Sequence, residues 1–176
     1  MGKFLTAHSR LEQLCVGDKW KLVDNQLYKD DNGDIILCPR NYITDGFTIP
    51  SFVTFIAGGK MEYDTRASSQ HDFECSYHKV IKVIKTEDEL RKMNILHVAN
   101  GKFVCENIPI EFLEAHSTTF NETNQRFKRM LASTNIPKNK YKMIASAVYL
   151  NASWLWTRHE LDMDELYEVD YGLLIK

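Results

Sequence analysis

The stretch YITDGFTIP, residues 42–50, divides this 176-residue chain into two parts with different patterns. Before it, short runs of alternating polar and apolar residues are separated by turn signals, which predicts strands at 19–23, 26–29 and 35–38. After it, apolar residues recur at helical spacing over long segments. The sequence therefore predicts an α+β fold, in which a small antiparallel β-meander packs on a core of about three helices.

The second part of the chain supplies those three helices, which we predict at 64–78, 121–133 and 138–158. Between the first two lies a lysine-rich stretch and then Thr86, which has Glu89 three residues later in a capping-box pattern for a short helix. Further on, Asn100-Gly101 separates two apolar runs and predicts a hairpin. We interpret residues 79–118 as an insertion, with a helix and a hairpin, inside a single domain spanning 1–176.

Composition excludes several classes of function. The formal net charge of −2 and pI near 6.3 differ from the strongly basic composition of proteins that coat nucleic acid. Four widely separated cysteines without a Cys-x-x-Cys pair favour reduced thiols in a cytosolic protein. The first residues lack the apolar run of a signal peptide. The longest apolar segment, 143–156, is interrupted by polar residues, so we expect no membrane span.

The predicted helix at 64–78 carries the strongest candidate for chemistry. His71, Cys75 and His78 follow at i, i+4 and i+7 and share one face, where imidazole and thiolate ligands could hold zinc. The alternative is that Cys75 is a small core residue and His78 an exposed one.

His71-Asp72 is an adjacent imidazole–carboxylate pair on the same helix. The two side chains point about 100° apart on an ideal helix, which favours different roles for them. His71 could act as a general base on water, while Asp72 could bind calcium together with oxygen atoms of the loop that carries Asp45, Gly46 and Thr48. The alternative is a buried, hydrogen-bonded pair that fixes this loop onto the helix.

Three segments together resemble a phage-encoded family of unknown function. The first, residues 35–50, matches its strand, proline and Thr-Asp-x-x-Ser-Ile-Pro pattern; His71-Asp72-Phe73 matches its helical His-Asp motif, and 123–127 its second-helix motif. The resemblance covers about residues 19–78 and 119–156. It implies a bacteriophage source and a place in the host cytoplasm or in the virion.

More distantly, this helix pair is similar to that of A2-type phospholipases. The similarity implies that His71 is the base, Asp72 the calcium ligand, and Asn124 the residue that orients His71. Two positions depart from the pattern: Cys75 replaces a tyrosine, and Asn124 replaces an aspartate. An asparagine accepts the same hydrogen bond but carries no charge to stabilise an imidazolium.

Two functions therefore stay open. The first is a metal-dependent hydrolase of an ester or amide, with calcium or zinc as cofactor, and the retained Asp45, His71 and Asp72 favour it. The second is a non-enzymatic phage accessory protein that binds a host or virion partner, for example to inhibit a host defence. The changes at Asn124 and Cys75 favour the second. We expect partner contacts at 79–118 and in the tail from Asp162.

Overall fold

The computed structural model describes residues 2–7, 11–14, 19–44, 65–134 and 136–156. The fold is α+β, as the sequence predicts. The strands are β1 (Lys3–Phe4), β2 (Leu11–Gln13), β3 (Trp20–Leu22), β4 (Gln26–Lys29), β5 (Ile35–Cys38), β6 (Ile43–Thr44), β7 (Lys79–Val83), β8 (Leu96–Ala99), β9 (Lys102–Cys105) and β10 (Leu113–Ser117). The helices are α1 (Thr65–Tyr77), α2 (Glu87–Lys92), α3 (Phe120–Ala132) and α4 (Lys138–Trp156), and one 3₁₀ turn spans Ile110–Phe112.

The main sheet has five antiparallel strands in the order β1-β4-β5-β7-β10. β4 and β5 form a hairpin whose turn is closed by the Asp30 carboxylate, which accepts hydrogen bonds from the backbone N–H groups of Asn32 and Asp34. Gly33 takes a φ of 93° in this turn, a conformation that glycine adopts without a steric cost. The turn signal of the sequence is thus confirmed.

The first predicted strand joins a different sheet from the other two. β3 pairs with β2 and β6 in a three-stranded sheet, and not with β4. The expected three-stranded meander is therefore divided between two sheets, with β4 and β5 in the main sheet and β3 in the second. Asn25 explains the change: its amide nitrogen donates to the Glu106 carbonyl, and its amide oxygen accepts from the Arg40 backbone N–H. These bonds hold the β3–β4 connection open, where a hairpin would need a tight turn.

The expected insertion at 79–118 begins and ends with strands of the main sheet. β7 lies between β5 and β10, with Leu37 opposite Ile81 and Val83 opposite Leu113. Between β7 and β10 lie α2, the β8–β9 hairpin and the 3₁₀ turn. The capping box of Thr86 and Glu89 and the Asn100-Gly101 turn are both present, so these two predictions are confirmed.

Both faces of the main sheet are covered. Leu27, Leu37 and Ile81 point into one core cluster, which also contains Phe73 and Tyr77 of α1. Their neighbours along the same strands, Tyr28, Ile36 and Val80, point the opposite way, into a second cluster. Helices α3 and α4 complete this second cluster with Phe127, Met130, Leu131, Ile144 and Val148. This alternation is the two-residue period of a strand. It confirms the core of three helices and places α1 where it contributes to both clusters.

Within the described ranges, no helix is both long and apolar enough to cross a membrane.

Candidate active site

His71 and Asn124 meet where α1 packs against α3. The His71 side chain is 3% exposed, and its Nε2 lies 3.2 Å from Oδ1 of Asn124, which is 8% exposed. The Asn124 amide nitrogen donates to the Phe120 carbonyl at 2.7 Å. A carbonyl can only accept, so this second bond fixes the amide with its oxygen toward the ring. Nε2 of His71 therefore donates its proton to this oxygen, and Nδ1 is on the side of the ring that Asp72 approaches.

Asp72 approaches the other side of the ring. Its Oδ1 lies 3.8 Å from Nδ1 of His71, and its Oδ2 accepts a hydrogen bond from the Thr44 hydroxyl at 2.7 Å. The separation of about 100° on an ideal helix predicts different roles for these neighbours, yet this carboxylate reaches the adjacent imidazole at ion-pair distance. Thr44 ends β6, so Asp72 also joins α1 to the second sheet.

Cys75 is the third group beside the ring. Its Sγ lies 3.6 Å from Nε2 and 3.9 Å from Nδ1 of His71, and the side chain is partly buried. The i, i+4 spacing on α1 brings the two together, as the sequence predicts for this face. The same face does not extend to His78, which lies beyond the end of the helix with a φ of 49°. The His78 ring instead stacks on Trp156, with ring centroids 3.9 Å apart.

These neighbours set the charge of His71. Burial alone would lower its pKa, but negative charge on Cys75, hydrogen bonds to Asp72 and Cys75, and the charge of Asp72 outweigh burial and raise the pKa to about 10. The ring also lies against Phe127, with centroids 4.5 Å apart, which holds it in place. The arrangement therefore favours the protonated form of the His71 ring.

A buried ion pair fixes the two helices next to this cluster. Glu74 of α1 is fully buried and accepts hydrogen bonds from Arg126 of α3 and, at 3.0 Å, from Gln70. Burial raises the pKa of the Glu74 carboxyl, and the Arg126 guanidinium opposes that rise. Sequence reasoning missed this pair, because a glutamate and an arginine on predicted helices usually face solvent.

The loop residues Asp45, Gly46 and Thr48 lie outside the described residues, and so does the tail from Asp162. In the parts of the chain that are described, no group of three or more His, Cys, Asp or Glu side chains is placed to hold a metal ion. Asp72 contributes one carboxylate at the position where the loop leaves β6. It is the predicted metal ligand that the structure places beside the candidate base.

A cavity of about 500 Å³ lies between α3 and α4, and Asn124 forms part of its wall. Its other polar walls include Lys128 and Lys142, while Tyr149 and Leu150 supply exposed apolar surface. A ligand in this cavity would contact the residue that orients His71. The cavity has the size of small-molecule sites.

Comparisons of the chain with protein-family models, curated proteins and solved structures gave no match.

Proposed function

We propose that this protein is a hydrolase of ester or amide bonds, with its chemistry at His71. One observation carries the proposal: a buried imidazole has Nε2 fixed by Asn124, while Asp72 approaches Nδ1 and the Cys75 sulfur lies within 4 Å of both ring nitrogens. Orientation of a histidine through one ring nitrogen leaves the second free for proton transfer, which is the arrangement that acid–base catalysis needs. The resemblance to a phage-encoded family supports an origin in a bacteriophage and action in the host cytoplasm or the virion.

The cavity beside Asn124 supports a small or narrow substrate. Lys128 and Lys142 on its wall favour a negatively charged group, and Tyr149 and Leu150 favour an apolar part of the same molecule. Asp72 would be the ligand for calcium or zinc, with further oxygen ligands from the loop of Asp45 and Gly46. In that case the metal would polarise the bond that is cleaved.

The test is a hydrolysis screen with chromogenic esters and anilides that carry either a neutral or an anionic group. We expect turnover by the wild type and a loss of kcat/KM of about 10³-fold or more in His71→Gln, since the proton-transfer group is removed. The His116 side chain on β10 is 47% exposed, so His116→Gln is the matched control and should keep full activity. A folded His71→Gln variant with wild-type turnover would contradict the proposal.

Metal analysis accompanies the screen, after dialysis of the wild type and Asp72→Asn into calcium and into zinc in turn. One equivalent bound by the wild type and lost in the variant supports a metal-dependent enzyme. Equal metal contents in the two proteins would show that Asp72 is not a metal ligand.

A second function has its own support in the burial of this cluster. His71 and Asn124 are both buried and connect α1 to α3, as a structural clasp would. Under this alternative the protein is a phage accessory protein that binds a host or virion partner. Its expected signature is a His71→Gln variant that is less stable, in a protein whose wild type turns over none of the substrates.

A further inference from the structure

We propose that the cavity between α3 and α4 binds a nucleoside phosphate, with the phosphate beside Lys128 and Lys142 and the base against Tyr149. This inference rests on the proposed function in one respect, that the cavity receives the substrate, and it names the chemical class of that substrate. Asn124 is the wall residue that the cavity shares with the His71 cluster.

The two helices carry a concentration of positive charge that the composition of the whole chain conceals. The net charge of the chain is −2, yet residues 123–156 contain no acidic residue. The cationic side chains of this segment are Arg126, Lys128, Arg129, Lys138, Lys140 and Lys142. Arg126 is neutralised by Glu74, whereas Lys128 and Lys142 are exposed and form no ion pair with another described residue. The cavity wall therefore carries two positive charges that can attract an anion.

The antiparallel packing of the two helices gives the cavity two different ends. Residues 133–137 join α3 to α4, and Lys128 and Lys142 lie on the cavity wall toward this connection. At the other end, the rings of Phe120 and Tyr149 pack with centroids 5.0 Å apart. Tyr149 follows Lys142 by two turns of α4, or about 10 Å of helix. A nucleotide bridges a separation of this size between its phosphate and its base.

Carboxamide side chains line the α3 wall from the aromatic end toward the cationic end. Asn121 and Gln125 are i, i+4 neighbours there, both exposed, and neither side chain donates or accepts a hydrogen bond within the described part of the chain. A carboxamide both donates and accepts, which suits ribose hydroxyls and the mixed edge of a base. An acyl chain would need an apolar lining at the same place. The lining therefore favours a nucleoside over an anionic lipid.

Tyr149 provides a surface on which a base can stack. Its side chain is 44% exposed, and contact with Phe120 holds the ring in place. An aromatic ring that is already ordered loses little conformational freedom when a base stacks on it. Leu150 is 71% exposed and extends the apolar surface at this end. Positive charge, hydrogen-bonding amides and an aromatic ring thus follow one another along a single cavity.

The first test is calorimetric titration of the full chain with AMP, GMP, CMP and UMP, and with adenosine, inorganic phosphate and octanoate for comparison. We expect nucleoside monophosphates to bind about tenfold or more tightly than phosphate or adenosine, because both ends of the cavity then act on one molecule. Octanoate should also bind more weakly than the nucleotides. Phosphate or octanoate that binds as tightly as the nucleotides would overturn the inference, and so would a lack of binding by all four nucleotides.

Variants at the two ends of the cavity test the assigned orientation. Lys128→Gln/Lys142→Gln should weaken nucleotide binding about tenfold or more, because it removes the charged donors to the phosphate. Tyr149→Leu should weaken nucleotide binding by about tenfold and leave phosphate binding unchanged, because it removes only the stacking ring.

Lys102→Gln is the matched control, since Lys102 is exposed on β9 of the β8–β9 hairpin and does not line the cavity. It should bind nucleotides as the wild type does. Urea unfolding identifies the variants that are folded. Wild-type nucleotide affinity in the folded double lysine variant, or in folded Tyr149→Leu, would overturn the inference.

The hydrolysis screen separates this inference from the proposed function. Nucleotide binding by a protein that turns over none of the substrates would support the nucleotide site and contradict the hydrolase. Turnover by a protein that binds none of the four nucleotides would overturn the nucleotide site and leave the hydrolase proposal standing.

Discussion

At the scale of single residues, we expect loss of the Glu74–Arg126 ion pair to lower the free energy of unfolding strongly. Glu74 is fully buried and the Arg126 side chain is 12% exposed, so removing Arg126 leaves the Glu74 charge buried without compensation. We expect Arg126→Met to lower the free energy of unfolding by about 3–5 kcal/mol. The double variant Glu74→Met/Arg126→Met should recover a large part of this loss. Urea unfolding of the four proteins measures the cycle, and additive losses would contradict a direct pair.

The pH dependence of Arg126→Met follows from the pKa of Glu74. Burial raises that pKa above its ordinary 4.5, and the variant lacks the guanidinium that opposes the rise. A group with a raised folded pKa stabilises the protein below its unfolded pKa, and this stability is lost as the pH rises through the folded value. The deficit of Arg126→Met relative to the wild type should therefore be smaller at pH 5 than at pH 8. Equal deficits at the two pH values would show that Glu74 stays ionised.

Single residues also show what the sequence could and could not predict about the site. His71 and Asn124 were placed together by the resemblance, and Cys75 by its spacing from His71. Glu74 and Arg126 could not be found in this way, because their pairing depends on how α3 packs on α1. That packing joins residues 52 positions apart, and no local pattern records it.

At the scale of elements, the start of α3 determines how well Asn124 is placed. Thr119 and Glu122 form a complete capping box there, with the N-cap Thr119 five residues before Asn124. Thr119→Ala should cost about 1 kcal/mol of stability, because it removes an N-cap acceptor. It should also accelerate solvent exchange of the Nε2 proton of His71, as seen by NMR.

Thr86→Ala is the matched control, since Thr86 caps α2 in the same way. Its cost in stability should be similar, but exchange at His71 should not change. Equal effects of both variants on the His71 proton would mean that α3 does not hold the site through its first turn.

Elements differ in how well the sequence predicts them. Helix bounds and the two turns were predicted closely, because caps and turn residues act on their nearest neighbours. β7 was interpreted as a polar, lysine-rich stretch, yet Val80, Ile81 and Val83 are all buried between helices and neighbouring strands. A strand covered on both faces lacks the simple alternation of polar and apolar residues that identifies a strand in a sequence. In β7 the lysines at 79 and 82 also made the segment look polar.

At the scale of the whole molecule, stability depends on the sheet that both core clusters share. Ile81 of β7 is fully buried, whereas Val98 of the β8–β9 hairpin is 56% exposed. Ile81→Ala should cost about 2–5 kcal/mol, because it leaves a cavity in the core. Val98→Ala should stay within about 0.5 kcal/mol of the wild type. A comparable loss in both variants, measured by urea unfolding, would indicate that the hairpin is covered by a partner.

The position of β7 between β5 and β10 has a consequence for how this protein folds during its synthesis on the ribosome. β5 emerges early and can pair locally with β4. Its other edge stays unpaired until β7 (79–83) is translated, and the outer edge of β7 stays unpaired until β10 (113–117) is translated. Such distant pairings are slow and leave apolar strand edges open in the meantime. Asn124 and α4 are translated later still. All five strands of the main sheet are therefore translated before Asn124, the partner of His71, and chains that end before α3 lack the His71–Asn124 contact.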